Sequence, residues 1–435
     1  MRRIFIVIIT FILILSELLI PNIHTEKVEA STWIDISTPA DLINIRNNLS
    51  GNYRLVNDID LSQHSSNWTP IGNSSNPFTG VLDGQGHVIK NFQPNRVNQD
   101  NFGLFGVVER GVIKNLGLEN VNISGVTPGI RYTGALVGYF GESGKGGQII
   151  ENVYVTGHVR GFQSVGALVG RLEFAEIKNS YSNASVTAYA EGGGLAGHSA
   201  YGVITTSYAT GRVSGTNSGG LIGRAVGSVR YTNSFWDKDT TEQETTSPNY
   251  TFPNATPITE GAKSTSQMKQ KSTFTNWDFD NIWRIDEGKD YPKLKILDYN
   301  WNENSDGTVE IIRYKGPGGV VVVPSILDGK KVTRIGFPEA NVGAFSQKNI
   351  TKVIISEGIE RIDNWAFREN DITEVVFPST LTFIGLHSFS GNKLTSIEFP
   401  NSELTIGTAV FYGNNITGTV ILPENIIKLG LGVFN

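Results

Sequence analysis

The chain has 435 residues, with 49 glycines, no cysteine, 36 Lys+Arg against 41 Asp+Glu and a formal charge of −5. A pI near 5.8 without a basic tract excludes electrostatic nucleic-acid binding. The missing cysteine excludes disulfide frameworks, thiol catalysis, cysteine-ligated zinc and lipid attachment through cysteine. Glycine, at 49/435 or about 11%, exceeds its usual share of about 7% without a third-residue period, so collagen is excluded and the excess needs another structural reason.

Residues 1–20, MRRIFIVIITFILILSELLI, place two arginines before an apolar run, and Val28 and Ala30 supply small residues before a cleavage point. The pattern predicts a signal peptide over 1–30, a mature chain starting near Ser31 and no membrane insertion after cleavage. The alternative is an uncleaved anchor, since residues 4–20 just reach the shortest span of about 17 residues. Export without cysteine suits a Gram-positive secretory route.

STPADLINIRNNLSG at 37–51 offers Ser37 or Thr38 as N-cap, Pro39 in the first turn and Leu42, Ile45 and Leu49 on one helix face. The strand pieces YRLVNDIDL at 53–61 and VLDGQGHVI at 81–89 follow. The helix is expected to cover the open end of what comes next. Glycine-bracketed cores recur as GLFG at 103–106, GALVG at 134–138 and 166–170, GGLAG at 193–197 and GGLIG at 219–223. Behind them, Tyr154, Tyr181, Tyr208 and Phe235 recur at one constant interval, the period of the repeat, and the insertion GESGKGG at 141–147 lengthens the interval before Tyr154. A unit this short, built from β-branched runs and glycine corners, is too small to fold alone but can form one coil of a parallel β-solenoid. Leu136, Leu168, Leu195 and Leu221 would face its lumen. The flanking glycines would adopt positive φ or permit close approach of coils. Each tyrosine follows its strand's isoleucine by four positions, as Tyr181 follows Ile177. This alternation predicts an internal aromatic stack, with an exposed glycan-stacking stripe as the alternative.

Residues 240–273, rich in Thr, Ser, Pro and Asn, read as a long loop or linker. WDFDNIWRIDEGKDYPKLK at 277–295 reads as a closing segment packed on the last coil. From Val309 a second repeat begins. Phe345, Phe367, Phe389, Phe411 and Phe434 are spaced 22, 22, 22 and 23 apart, within the leucine-rich-repeat range of about 20–29. These rings would plug the core, and Asn370, Asn392 and Asn414, each three positions after a Phe, would form a ladder satisfying turn backbone. The last unit carries no polar cap, which predicts a natural chain continuing past Asn435.

GALVG and GGLAG followed by an N-S-Y segment, together with NLSGNYRLVNDIDLS, WTPIG, PFTGVLDGQGHVIKN and WDFDNIWRI, resemble the GLUG-motif repeats of secreted bacterial proteins over residues 33–297. Residues 309–434 resemble BspA-like leucine-rich repeats, which implies surface adhesion and host or matrix contact. Neither resemblance implies a catalytic residue set. GLUG repeats also accompany IgA-specific metallopeptidases, but none of His24, His64, His87, His158, His198 and His387 forms the H-E-x-x-H zinc pair. No G-x-S-x-G elbow occurs, and GKGG at 144–147 lacks the spacing of a phosphate loop.

The expected fold is therefore all-β: a GLUG-type parallel β-solenoid over 31–298, including its cap and the 240–273 linker, followed by a leucine-rich-repeat solenoid over 299–435. The expected function is non-catalytic recognition of an extracellular protein or glycan, with no cofactor or metal and no nameable ligand residue. Exposed faces of 309–435 and the 141–147 insertion are the expected contact zones. One alternative is a carbohydrate-active β-helix using Asp58, Asp60 and Asp83 as clustered carboxylates, against which stands the turn-forming role of Asp beside glycine. Calcium at these turns lacks a D-x-[DN]-x-[DN]-G loop. Another alternative is a passive surface spacer.

Overall fold

The computed structural model describes residues 32–434 except 96, 98, 126, 248, 251–258 and 337–341. The expected signal peptide lies outside the described residues. Thr38, not Ser37, caps the helix Pro39–Asn44: its Oγ1 accepts from Asp41 N at 3.2 Å while Asp41 Oδ2 accepts from Thr38 N at 2.9 Å. This reciprocal cap satisfies free helix-end donors and turns Leu42 and Ile45 into the core beside Leu55 and Leu82.

The coils beyond are parallel and in register at the sequence period. Ile150 pairs with Ile113 on one side and Ile177 on the other, and Ile177 with Ile204. On a second sheet Val137, Val169, Ala196 and Ile222 align. A third, short sheet aligns Tyr132, Ser164, Glu191 and Asn217. Leu136, Leu168, Leu195 and Leu221 are all fully buried in the lumen. The bracketing glycines serve close approach rather than positive φ. A Cβ on Gly170 would lie 2.5 Å from Thr133 N, and one on Gly197 would meet Val165 N just as closely. Neighbouring backbone occupies the space that any side chain would need.

Positive φ occurs instead at corner positions such as Asn115, Asn152, Asn179, Thr206 and Asn233, between 44° and 56°. Asparagine tolerates this region better than most residues. These positions also form ladders: Asn152 Nδ2 donates to Asn115 Oδ1 at 3.0 Å, and Asn115 Nδ2 to Asp83 Oδ1 at 3.0 Å. Beside them Ser180, Ser207 and Ser234 accept from Val153 N, Ser180 N and Ser207 N at 3.1, 3.1 and 3.3 Å.

These corners correct the expected place of the tyrosines. Tyr154, Tyr181 and Tyr208 do stack, with centroids 5.2 and 4.9 Å apart, and Phe235 continues their register. The stack is buried outside the lumen, however, in a separate cluster with Met268, Phe274, Trp277, Trp283 and Leu294. One left-handed residue between each isoleucine and its tyrosine breaks the two-residue alternation, so Ile177 faces inward and Tyr181 outward. Residues 277–295 close over this outer face. Tyr208 OH donates to Pro292 O at 2.6 Å and Trp277 Nε1 to Asn233 O at 2.7 Å.

The described part of 240–273 also differs from a linker. Thr246 and Ser247 are fully buried, Leu221 N and Ile222 N donate to Thr246 O, and Ala262–Lys263 adds in parallel to the strand Phe235–Asp237. The polar composition supplies hydroxyls to a last irregular coil instead of solvating a loop.

The second solenoid opens with an antiparallel pair, Tyr299–Glu303 with Val309–Tyr314. One parallel sheet then aligns Ile335, Ile362, Ile384, Ile406 and Leu429. A second sheet joins Gly319–Val323, Ile350–Ile355 and Glu374–Val376. Phe345, Phe367, Phe389 and Phe411 stack in the lumen at centroid spacings of 4.8, 5.0 and 5.7 Å. Phe434 stacks on Phe411 at 5.8 Å but is 36% exposed, so it is not the enclosed plug expected. The asparagine ladder forms as expected. Asn392 Nδ2 donates to Phe367 O and Phe389 O, both at 2.9 Å, while its Oδ1 accepts from Ile372 N at 3.1 Å.

Candidate functional site

The three aspartates of the carbohydrate-active alternative have different surroundings. Asp83, 2% exposed, ends the strand Val81–Asp83 and accepts from Gln85 N at 2.9 Å. Lys114 Nζ lies 3.5 Å from Asp83 and 2.6 Å from Asp328 of the second solenoid. Burial pushes the Asp83 carboxyl up while Lys114 pulls it down. The same two carboxylates outweigh the desolvation of Lys114 and raise its pKa. Asp83 thus belongs to an ion triad joining the two solenoids. The seam is tightened by Gly86, where any Cβ would collide with Tyr299 O, and by Lys315, which donates to Gly86 O. Asp60 sits on the exposed strand end Ile59–Asp60 and accepts from Asn91 Nδ2 and Ser62 N, both at 2.9 Å.

Asp58 alone of the three lines a cleft, of about 910 Å³, beside the seam. Its neighbours there include Asn57 and His87 from the first solenoid and Asn302, Asn304 and Arg313 from the second. His87 Nδ1 lies 3.1 Å from Asp58 Oδ1, and Val88 N donates to the same oxygen at 3.2 Å. Burial works against the Asp58 carboxylate, but the His87 and Val88 hydrogen bonds and the Lys315 charge outweigh it and hold its pKa at about 2. Burial also keeps His87 below the ordinary imidazole range despite Asp58. The ring is therefore neutral at pH 7, with its Nδ1 proton directed to the carboxylate.

A second cleft, of about 660 Å³, is more apolar and is lined by Ile282, Ile296, Val322, Pro324, Ile326 and others. It opens beside the outer face of the Gly319–Val323 sheet. Val322, Ile354 and Val376 are register partners there, forming an outward apolar row beside a mixed row of Val320, Lys352 and Glu374. Val320, Val322 and Val376 are 65, 54 and 41% exposed. The 141–147 insertion is a turn tied by Glu142 to Lys145 at 2.6 Å and to Arg110 at 3.0 Å.

A zinc-pair motif does not pick out His87, because its partner Asp58 lies in the earlier connection between the strands Asn52–Leu55 and Ile59–Asp60 and shares no motif with it. The only sequence signal for the apolar row is GVVVV at 319–323, four β-branched residues on what becomes an edge strand. Among the described residues no group of three His, Cys, Asp or Glu could hold a metal ion, and no helix is long and apolar enough to cross a membrane.

Residues 339–435 match the BspA type leucine rich repeat region, in six copies. A 90-residue segment, 19% of the chain, is 42% identical to 10% of a protein provisionally named a Gly-rich membrane protein in Evansella cellulosilytica. A 117-residue segment, 24% of the chain, is 36% identical to 1% of halomucin from Haloquadratum walsbyi. The chain thus spans a tenth or less of either curated relative. Among solved structures, a Bacteroides ovatus protein provisionally named an immunoglobulin A1 protease is 24% identical with a TM-score of 0.48, covering 61% of this chain and 93% of that one. The T. pallidum leucine rich repeat protein TpLRR is 27% identical with a TM-score of 0.27, covering 32% and 64%. The C-terminal region, less than a quarter of the chain, carries BspA type leucine rich repeats.

Proposed function

We propose that the chain is a secreted or cell-surface recognition protein without catalytic activity, whose solenoid surfaces bind an extracellular protein or glycan. In this reading residues 33–297 are GLUG-type coils that hold the leucine-rich repeats rigidly, through the seam at Gly86 and Lys114. The observation that carries it is the apolar row Val322, Ile354 and Val376 on a regular sheet. Exposed β-branched residues in register favour association, and a stiff repeat surface presents them at fixed spacing. The BspA type match of 339–435 supports the same reading.

The three aspartates of the carbohydrate-active alternative do not come together at one site. Asp83 is enclosed with Lys114, Asp60 is held by Asn91 and Ser62, and of the three only Asp58 lines the cleft, beside His87. A paired acid and base need two carboxyl groups flanking one reacting bond.

The test is binding of purified protein to immobilised extracellular-matrix proteins and to whole cells. A Val322→Lys/Val376→Lys variant should lose at least tenfold in affinity while keeping its unfolding midpoint. Unchanged binding by that variant overturns the assignment.

A further inference from the structure

The seam cleft is built differently from the apolar row. Its walls are almost wholly polar, with Val56 and Ile312 the only apolar side chains among its lining residues and no Phe, Tyr or Trp. Its volume of about 910 Å³ falls in the range of about 300–1,000 Å³ typical of small-ligand sites.

Charge complementarity narrows the ligand. Each carboxylate lining the cleft already has a partner. Asp35 meets Arg54 at 2.6 Å, Glu303 meets Lys330 at 2.6 Å, Glu310 meets Arg334 at 3.4 Å, and Asp58 meets His87. Arg313 lines the same cleft, and among the described residues no carboxylate lies within ion-pair distance of it. A guanidinium in that position suits a planar carboxylate, which it can bind through two parallel hydrogen bonds.

The remaining groups suit hydroxyls. Asn57 and Asn302 make only long side-chain bonds, at 3.4 Å to Ser37 O and 3.5 Å to Glu310 Oε1, so their amides are weakly committed. His87 is 7% exposed with its Nε2 enclosed, so the ring orients Asp58 instead of meeting a ligand. The Asp58 side chain is 36% exposed and takes its bonds from His87 and Val88 on Oδ1, so its Oδ2 is the acceptor that a hydroxyl can reach. A peptide would call for apolar side pockets.

We infer that the seam cleft binds an acidic saccharide, with Arg313 taking a uronate carboxylate and Asn57, Asn302 and Asp58 taking ring hydroxyls. This is a second site, distinct from the apolar row. Both solenoids contribute to it, so neither half of the chain would carry it alone.

Isothermal titration calorimetry on the full chain tests this with three probes: trigalacturonate, an alginate trimannuronate and a hyaluronan tetrasaccharide. Their neutral counterparts, methyl-esterified or carboxyl-reduced, serve as controls. At least one acidic probe should bind saturably, at least tenfold more tightly than its neutral form. Arg313→Gln should weaken it at least tenfold without moving the unfolding midpoint, because Arg313 is exposed. Asp58→Asn should weaken it as well, and the Val322→Lys/Val376→Lys variant should bind the saccharide normally even if it fails on matrix proteins. The inference is overturned if no acidic probe binds, if neutral probes bind equally well, or if Arg313→Gln is without effect. Release of new reducing ends or unsaturated products would also overturn it, by making the cleft catalytic.

Discussion

The two solenoids place their aromatic stacks on opposite sides of the coil wall. In the first, Tyr154, Tyr181 and Tyr208 stack outside the lumen, and Trp277, Trp283 and Phe274 cover them. In the second, Phe345, Phe367, Phe389 and Phe411 stack within it. The longer coil fills its interior mainly with aliphatic side chains from three sheets, so its tyrosines are free to anchor a separate segment. The shorter coil has fewer inward residues and needs one large ring per turn. Corner chemistry differs in parallel. The first solenoid removes side chains where backbones meet, at Gly170 and Gly197, whereas the second brings in Asn370, Asn392 and Asn414 to bond the turn backbone. Two repeats with one overall plan thus place their specialised residues on different parts of the wall.

The largest effect that would test this contrast is expected from Phe367→Ala. Removing a ring enclosed between two others should cost about 3–5 kcal/mol in chemical denaturation. A loss below about 1 kcal/mol would mean that the stack is not what holds the shorter coils together.

Next comes Gly170→Ala, expected to cost about 3 kcal/mol, because its Cβ would meet the backbone nitrogen of Thr133 at 2.5 Å and the adjoining coil cannot easily yield. Gly329→Ala is the control. It has φ of +75° and nothing within 4 Å, so it should cost only about 1 kcal/mol through conformation. Equal losses at both sites would break the argument that close approach, not positive φ, selects the bracketing glycines.

The smallest change is Tyr208→Phe. It removes the 2.6 Å hydrogen bond to Pro292 O and should cost about 1 kcal/mol. Amide hydrogen exchange should quicken across 277–295 while the coil strands keep their protection. Uniform acceleration through the coils would show that the outer tyrosines belong to the core after all.

Much of this architecture is legible because repeats write it many times over. Both repeat periods, the lumen leucines and the asparagine ladder can each be read from spacing. The tyrosine side cannot, because a parity rule assumes an unbroken strand, and Asn152, Asn179 and Thr206 break it with φ between 44° and 56°. The segment 240–273 misleads because serine and threonine signal a loop by composition, yet Thr246 and Ser247 are buried with backbone bonds around them. The candidate cleft is barely legible. Asp58 stands out in sequence as one of three clustered carboxylates, but Arg313 and Asn302 belong to the other solenoid and share no motif with it.

The sequence by itself determined the coil lengths, the residues that line each lumen and the absence of cysteine from every stabilising contact, since each of these is local or repeats at a fixed period. Only the tertiary structure decided where the two solenoids meet. That seam encloses Asp83 with Lys114 and Asp328, seats Tyr299 O against Gly86 and leaves Asp58, His87 and Arg313 around one polar cleft. Contacts of this kind join side chains from opposite ends of the chain, where no periodicity links them, and they form only when two separately built surfaces are complementary in charge and shape.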